Sequence, residues 1–274
     1  MATLVSFIEP RVIKLAETKV ERGGIKQLME EYGDSATNWL NSPSKSWASD
    51  AEMLIEIAGR ICYRSFGTEL NPNITKIRPE SRDYFENVLK KGDGSILEHA
   101  TVTFALMWVS RVFTHELVRH RVGTAFSQES LRYVRNTKIT VPSWSGWLPA
   151  DISTETKRSI EEALNEVEHR YLSIQAKIPW NSMSFDEKKR ATSAIRRILP
   201  QGLATAIIFT ANHRTLRWLI EMRTDPSAEF EIRRVFGKIA EICFSDHPLI
   251  YQDFQKINLP DGTSQYKPKL RSKV

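Results

Sequence analysis

The amino-acid sequence predicts a single α+β domain. Segments with a helical period outnumber segments with a strand period along the 274 residues, and no regular βαβ order appears. Hydrophobic residues make up 41% of the chain, which is enough apolar material for a large core and excludes a wholly disordered protein. We therefore expect a mixed or antiparallel sheet that is flanked by helices.

Four segments combine an apolar period with the boundary residues of helices. They are Asp50–Tyr63, Pro79–Lys90, Ser153–Ala176 and Ser184–Ile198. A fifth helix is predicted after Asn212, with Thr215 as its N-cap. The polar, Ser- and Asn-rich stretch Asp34–Ser49 predicts a loop, which would separate an N-terminal extension of residues 1–49 from the main body.

Two segments have the features of strands. In His99–Trp108 the residues alternate, so that the side chains of even-numbered residues from Ala100 to Trp108 form one apolar face. His99 and Thr101 then project together from the opposite face. Leu203–Ala211 is rich in β-branched residues, which predicts a second strand.

The formal net charge of +6 is concentrated in two places. Residues 256–274 hold five cations and one carboxylate, and we predict a basic, mobile tail there. Residues 111–136 hold five arginines and two glutamates, while the rest of the chain is close to neutral. Such a local cluster favours a pocket for anionic small molecules over an extended nucleic-acid surface.

Several function classes are disfavoured. No window approaches the roughly 18–20 apolar residues of a membrane helix, so no membrane partner is predicted. Two cysteines, Cys62 and Cys243, exclude a disulfide framework and indicate a reducing, cytoplasmic setting; we expect both to be inert core residues. His115 and His120 stand five positions apart, which turns them by about 140° on a helix, so no metal site is predicted.

Three consecutive basic residues, Arg119, His120 and Arg121, form the first candidate site. If residues 110–123 are helical, these side chains fan across about 200° of the helix surface, so at least one is directed toward protein or ligand. The alternative is that they are ordinary cations at a helix end, with Gly123 at the C′ position.

A cluster of hydrogen-bond donors follows this basic triplet. Ser127, Gln128, Ser130 and Arg132 place hydroxyl, amide and guanidinium groups within one short segment. Donors of these types suit a phosphate group or the edge of a pyrimidine.

Arg223 forms the second candidate site. Leu216, Leu219, Ile220 and Arg223 share one helical stripe, which places the arginine among apolar residues. A buried arginine requires an anionic partner inside the fold. The alternative is that Arg223 extends to water or to Asp225.

These motifs resemble the signature of the flavin-dependent thymidylate synthases, in which Arg-His-Arg is followed by Ser and Arg-Tyr. Further matching segments occur in the order that the family shows, and together they cover about residues 58–245. They are Ala58–Tyr63, Leu97–Thr101, Arg119–Arg121, Ser130–Tyr133, Arg196, Asn212–Arg214 and Arg223–Asp225. One extra residue stands between Arg121 and Ser130, so either Gln128 or Glu129 fills the family's acid-or-amide position. Trp218 stands where some relatives carry an asparagine that contacts the flavin.

The resemblance implies an α+β homotetramer with active sites shared between subunits. It implies an enzyme that binds FAD, takes hydride from NADPH and transfers a methylene group from methylenetetrahydrofolate to C5 of dUMP, which yields dTMP. The catalytic domain would then span residues 50–255.

The resemblance also implies roles for individual residues. The cofactor FAD would contact Thr101, Arg119, His120, Arg121, Gln128, Asn212 and Arg214, with His99 beside the flavin. The substrate dUMP would contact Glu116, Arg119, Gln128, Glu129, Ser130, Arg132, Arg196 and Arg223. Arg223 would stabilise negative charge on the uracil ring, and His99 would share the catalytic role with it.

Two alternatives to this function remain at the level of sequence. The first is a non-catalytic nucleotide- or RNA-binding protein that uses the same arginines, which should show aromatic residues interleaved with a spread basic face. The second is another flavoprotein that acts on a different nucleotide.

Overall fold

The computed structural model describes residues 5–143, 148–149 and 151–270. In these ranges the strands are β1 (Ser6–Ile8), β2 (Arg11–Glu17), β3 (Thr101–Ser110), β4 (Thr124–Gln128), β5 (Thr140–Pro142), β6 (Ala204–Asn212), β7 (Phe254–Asn258) and β8 (Ser264–Pro268). The α-helices are α1 (Arg22–Glu31), α2 (Asp34–Leu40), α3 (Asp50–Tyr63), α4 (Ser81–Lys91), α5 (Arg111–Leu117), α6 (Thr154–Ala176), α7 (Phe185–Ile195), α8 (His213–Arg223) and α9 (Phe230–Asp246). Short 3₁₀ segments include Gly94–His99 and Arg196–Ile198.

The strands form one four-stranded sheet and two pairs. The larger sheet has the order β2-β3-β6-β4. Asn212 donates its backbone N–H to Gly123, and Glu129 donates to Ala206, so β4 and β6 are antiparallel. Strands β1 and β5 pair in parallel, and β7 and β8 pair antiparallel. The α+β class, with an antiparallel sheet and helices, is therefore confirmed.

The chain divides into two compact units. The first comprises residues 1–13, 105–121 and 125–209, and one of its core clusters contains Val5, Ile139, Val141 and Leu203. The second comprises residues 14–104, 122–124 and 210–274. Its core includes side chains of α8 and α9 such as Leu216, Leu219, Ile232 and Phe236, all fully buried. In the ranges described above, no helix has the length and apolar character to cross a membrane.

The predicted helices are present, with ends set by capping side chains. The hydroxyls of Ser49, Ser153 and Ser184 each accept a backbone N–H from the first turn of α3, α6 and α7. At α7 the cap is reciprocal, because Glu187 accepts the backbone N–H of Ser184. Gly92 ends α4 in the left-handed conformation with φ +80°, which a glycine adopts without steric cost.

The loop predicted over Asp34–Ser49 is wrong in its first half, because α2 occupies Asp34–Leu40. Ala36 and Trp39 are buried there and pack with side chains of α1 and α3 in one core cluster. Two apolar residues three positions apart were enough to form an inward helical face within a polar stretch. Residues of the predicted N-terminal extension therefore contribute to the core.

The basic tail predicted from residue 256 is a β-hairpin up to residue 268. Tyr266 is buried, and its backbone N–H donates to the Thr224 hydroxyl at 2.9 Å. Lys256 pairs with Glu241 at 2.8 Å, and Asp261 with Arg233 at 2.6 Å. Pairing of the strands and these contacts hold the segment on the protein, so the prediction of a mobile tail is wrong. Residues 271–274 lie outside the described residues.

The alternation predicted for β3 holds from Ala100 to Leu106, whose even-numbered side chains are all buried. It fails at Trp108, which has φ +61° and is 37% exposed. The next residue, Val109, is fully buried. The left-handed backbone at Trp108 changes which residue points inward, and strict period-2 counting cannot anticipate that change.

Candidate active site

In the first unit, the candidate site begins at α5. Ser110 caps this helix by accepting the backbone N–H of Phe113 at 3.0 Å. The helix ends at Leu117, earlier than the sequence indicated, and the basic triplet lies in the turn that follows. Arg119 and Arg121 are exposed, whereas the His120 side chain is buried. The prediction that one member of the triplet turns inward is confirmed, but the helical geometry used for it is wrong.

Gln128 and Glu129 have different environments at the end of β4. The Gln128 amide nitrogen donates to the Thr114 hydroxyl at 2.9 Å, which orients the amide toward α5. Glu129 is exposed, and its backbone N–H pairs with Ala206 in β6. Its carbonyl oxygen accepts from the Arg111 guanidinium at 3.3 Å.

An open cavity of about 270 Å³ adjoins these side chains. It is lined by α5, by Gln128 and by Gln201, with Arg111, Thr114 and His115 among the α5 residues. Since Gln128 lines this cavity and Glu129 does not, the amide is the group available to a molecule bound there.

Arg111 and Arg196 bring two positive charges to this part of the first unit. Burial and the charge of Arg196 lower the pKa of Arg111, and Glu129 partly opposes them. Within the described ranges, neither guanidinium has a carboxylate within 4.0 Å. Two neighbouring cations without a carboxylate in direct contact are suited to an anionic ligand.

Arg111 was not among the residues predicted from the sequence. One local signal could have identified it, because it is the first residue of α5. The positive end of the helix dipole disfavours a cation at that position, so a partly buried arginine there requires another reason.

Ser130 and Arg132 follow β4 directly. The Ser130 hydroxyl accepts the backbone N–H of Arg132 at 3.3 Å, and the backbone N–H of Tyr133 bonds to the Ser130 carbonyl at 3.0 Å. This turn leaves the Arg132 guanidinium exposed and Ser130 partly buried. Glu116 is also partly buried, on α5.

In the second unit, Asn212 is the N-cap of α8, a role that the sequence had suggested for Thr215. The Asn212 side-chain oxygen accepts the backbone N–H of Thr215 at 2.9 Å, and the Thr215 hydroxyl donates to the Val122 carbonyl at 2.9 Å. Gly123 has φ +69°, and a Cβ there would lie 2.5 Å from both the Asn212 amide nitrogen and the Thr215 hydroxyl. Gly123 is therefore required for close packing before β4, and it is not a helix C′ residue.

The other predicted cofactor residues lie at the end of the 3₁₀ segment Gly94–His99, at the start of β3 and on α8. His99 and Thr101 are exposed while Ala100 is buried, as the alternation predicted. Arg214 pairs with Glu98 at 2.5 Å, and both side chains are about half exposed.

Arg223 ends α8 and is partly buried. The other members of its predicted stripe, Leu216, Leu219 and Ile220, are fully buried, so the assigned helical face is correct. The arginine lies at the edge of the apolar core.

The two cysteines differ, which corrects part of the sequence interpretation. Cys243 is buried, and burial raises the pKa of its thiol to about 12, as expected of an inert core residue. Cys62 is exposed, because the face of α3 that carries it turns away from the core. Within the described ranges, no group of three or more His, Cys, Asp or Glu side chains is arranged to hold a metal ion.

Comparison with known proteins assigns the family. The family described as "Thymidylate synthase complementing protein" matches residues 45–249. The flavin-dependent thymidylate synthase of Mycobacterium tuberculosis (strain ATCC 25618 / H37Rv) is 31% identical over 236 residues, which cover 83% of this chain and 90% of that protein. The enzyme of the same name from Mycobacterium avium (strain 104) is 32% identical over 236 residues, with the same coverage.

A solved structure shares the fold. The crystal structure of a UMP/dUMP methylase, PolB, from Streptomyces cacaoi bound with 5-Br dUMP aligns with a TM-score of 0.61 over 90% of this chain and 95% of that one. At 15% sequence identity this similarity concerns the fold alone. The family match over residues 45–249 and the 31% identical relative show that the chain is an enzyme, a methyltransferase, and exclude the alternative of a non-catalytic binding protein. The chain belongs to the flavin-dependent thymidylate synthase family.

Proposed function

We propose that the protein methylates dUMP at C5 to give dTMP, with FAD as bound cofactor, NADPH as hydride source and methylenetetrahydrofolate as carbon donor. The observation that carries the proposal is Arg111, a cation that lines the same cavity as Gln128, has no carboxylate within 4.0 Å among the described residues, and has its pKa lowered by burial and by the charge of Arg196. A nucleotide monophosphate supplies the missing negative charge.

The neutral part of dUMP requires different groups. The uracil edge offers one N–H donor between two carbonyl acceptors. The Gln128 amide can both donate and accept, and its contact with Thr114 holds it in place. This geometry supports Gln128, rather than Glu129, in the family's acid-or-amide position.

We propose further contacts to dUMP from Glu116, Arg119, Ser130 and Arg132. Arg223 is proposed separately, as a residue that contacts the uracil ring. A guanidinium at the position of Arg223 would stabilise negative charge that develops on the uracil ring when C5 is activated.

The donor set also fits FAD. Arg119 and Arg121 are exposed cations with no carboxylate within 4.0 Å among the described residues, which suits a diphosphate. His120, Thr101, His99 and Arg214 would supply further polar contacts. Because the Asn212 oxygen caps α8, only its amide N–H groups would be available to the cofactor. When bound, FAD supplies the redox chemistry that carries hydride from NADPH to the substrate.

We further propose a homotetramer and a cytoplasmic location. Exposed apolar side chains such as Val122 and Phe185, which are 82% and 70% exposed, support burial between subunits. Two free cysteines fit a reducing compartment. Light scattering during size-exclusion chromatography tests the assembly, since a monomeric mass would contradict it.

The decisive experiment is an assay for dTMP. The purified protein should be yellow, release flavin on denaturation, and form dTMP only when dUMP, NADPH and methylenetetrahydrofolate are all present. The Arg223→Ala variant should lose dTMP formation and retain FAD, with Arg197→Ala, an exposed arginine, as a control. A colourless protein that neither takes up FAD nor oxidises NADPH in the presence of dUMP would refute the proposal.

A further inference from the structure

A second cavity of about 190 Å³ lies entirely within the second unit. Its wall is formed by α3, α4 and the coil that joins them. The charged and aromatic residues that matter here are Tyr63, Lys76, Arg78, Tyr84, Lys91 and Asp93. None of these residues belongs to the site proposed for dUMP and FAD.

Arg60 shapes this cavity. Its guanidinium lies between the rings of Trp39 and Tyr84, at 4.9 and 4.5 Å from their centroids. It donates to the carbonyl oxygens of Ser65 at 2.8 Å and Arg78 at 2.7 Å. One buried side chain therefore holds both ends of the coil that forms the wall.

The charge of Arg60 is matched inside the protein, whereas two cations at the cavity surface have no carboxylate partner in the described part of the chain. Arg60 pairs with the buried Glu56 at 2.7 Å. Lys76 and Arg78 are exposed, and neither has a carboxylate within 4.0 Å in the described part of the chain. Lys76 and Arg78 therefore give this wall two cations that no carboxylate of the described residues pairs with.

Such an excess of positive charge suits a phosphate monoester, which carries about −1.5 to −2 charges at pH 7. The same wall is apolar elsewhere. Tyr63 exposes 52% of its surface, and Ile74 and Ile77 lie beside it in the coil. An aromatic ring next to a cationic cluster can pack against a base or ribose while the cations bind the phosphate.

The cavity is also connected to the candidate cofactor residues by a short, regular segment. Asp93 is followed directly by the 3₁₀ segment Gly94–His99, which ends at the exposed His99. At about 2.0 Å per residue this segment spans roughly 12 Å, a distance that an extended dinucleotide can bridge.

We infer that this cavity binds the 2′-phosphate and adjoining adenosine of NADPH, with Lys76 and Arg78 as the residues that distinguish NADPH from NADH. The inference rests on the proposed function for the presence of NADPH. The volume accommodates the phosphate and part of the nucleoside, and the rest of the dinucleotide leaves through the open side.

The test combines direct binding with kinetics. Calorimetry should show that the wild-type protein binds 2′,5′-ADP at least about tenfold more tightly than 5′-AMP, because the additional phosphate accepts charge-assisted hydrogen bonds from the two cations. Lys76→Ala/Arg78→Ala should remove that difference and lower the NADPH-to-NADH ratio of kcat/KM about tenfold or more. The substitutions keep the Arg78 carbonyl that Arg60 binds, so folding should be unaffected.

Lys90→Ala is the matched control, because Lys90 is an exposed lysine on α4 that does not line the cavity. It should leave both readouts unchanged. Equal binding of inorganic phosphate and 2′,5′-ADP would reveal a plain phosphate site and overturn the assignment to NADPH.

The two proposals can fail separately. If dTMP forms and the double variant keeps its preference for NADPH, the inference is wrong and the proposed function stands. If no dTMP forms but the double variant loses 2′,5′-ADP binding, the cavity is assigned correctly and the proposed function is wrong.

Discussion

Arginines in two regions of the molecule differ in whether the protein supplies their counter-ion. In the helical core of the second unit, Arg217 is buried and makes two bonds to Asp253, at 2.8 and 2.9 Å. In the first unit, Arg111 and Arg196 have no carboxylate within 4.0 Å among the described residues, and burial together with the charge of Arg196 lowers the pKa of Arg111.

The difference distinguishes a charge that the protein itself compensates from charges that we propose bind a ligand. A buried cation is costly unless an anion and further hydrogen bonds compensate its desolvation, and Arg217 has both, since it also donates to the Ile250 carbonyl at 2.6 Å. Arg111 and Arg196 have no such carboxylate contact, and in the proposed function an anionic ligand supplies it. Substitutions in the first group should therefore affect folding, and those in the second should affect binding.

We expect the largest loss of stability on substitution of Arg217. Arg217→Met removes the cation and leaves the Asp253 carboxylate buried without a partner, which should lower the free energy of unfolding by about 3–5 kcal/mol. Urea denaturation followed by circular dichroism measures this change. Arg217→Met/Asp253→Leu removes both charges and should recover most of the loss; a single variant as stable as wild type would contradict the structural role.

The second unit also buries two histidines. Arg217 is buried with a counter-ion, whereas these histidines are buried in their neutral form. His213 and His247 are fully buried, with ring centroids 4.6 Å apart. Burial lowers the pKa of His247 to about 4, although Glu17 and Asp246 raise it. Burial, His247 and Arg217 lower the pKa of His213 well below its ordinary value.

This neutrality predicts loss of stability in acid. The unfolded chain binds a proton at His247 near pH 6.5, whereas the native protein does so only near pH 4. The native state should therefore lose about 3 kcal/mol from this residue as the pH falls from 6.5 to 4. Urea denaturation at pH 7.5 and pH 5 should show a smaller difference for His247→Gln than for wild type. His169→Gln, an exposed control on α6, should keep the wild-type difference.

Substitution of Arg111 should weaken substrate binding and leave stability unchanged, the opposite of what we expect for Arg217. Arg111→Gln should raise the KM for dUMP about ten- to a hundredfold, the equivalent of one charged hydrogen bond of about 1.5–3 kcal/mol. Its free energy of unfolding should be unchanged or slightly higher, since repulsion with Arg196 is removed. Steady-state kinetics and urea denaturation of the same samples measure both. Arg197→Gln is the control; a destabilised Arg111→Gln protein with normal KM would place Arg111 in the structural group.

Local signals made most of the fold predictable. Ser153 and Ser184 marked helix starts and Gly92 a helix end, because caps act within one turn. The hairpin around Tyr266 was not predictable in this way, since its stability depends on contacts with Thr224 and α9 that are distant in sequence.

The candidate site also contains residues that local sequence identifies and residues that only the tertiary structure identifies. The basic triplet Arg119–Arg121 was recognisable as a motif, whereas Arg111 was not, because its significance depends on its position relative to Arg196. Sequence could place Arg223 and Arg217 on one helix, but the carboxylate that makes Arg217 structural lies 36 residues away. The presence or absence of a counter-ion is a property of the tertiary structure.

Substitution of an arginine that is paired but exposed should change the free energy of unfolding least. It tests whether burial, rather than pairing, makes an arginine important for stability. Arg158 contacts Glu162 at 2.8 Å on α6, with side chains 78% and 62% exposed. Water screens this pair and the side chains lose entropy in forming it, so Arg158→Ala should lower the free energy of unfolding by no more than about 0.5 kcal/mol. Urea denaturation beside Arg217→Met gives the comparison directly. A loss at Arg158 as large as that at Arg217 would mean that pairing alone, without burial, makes an arginine structural.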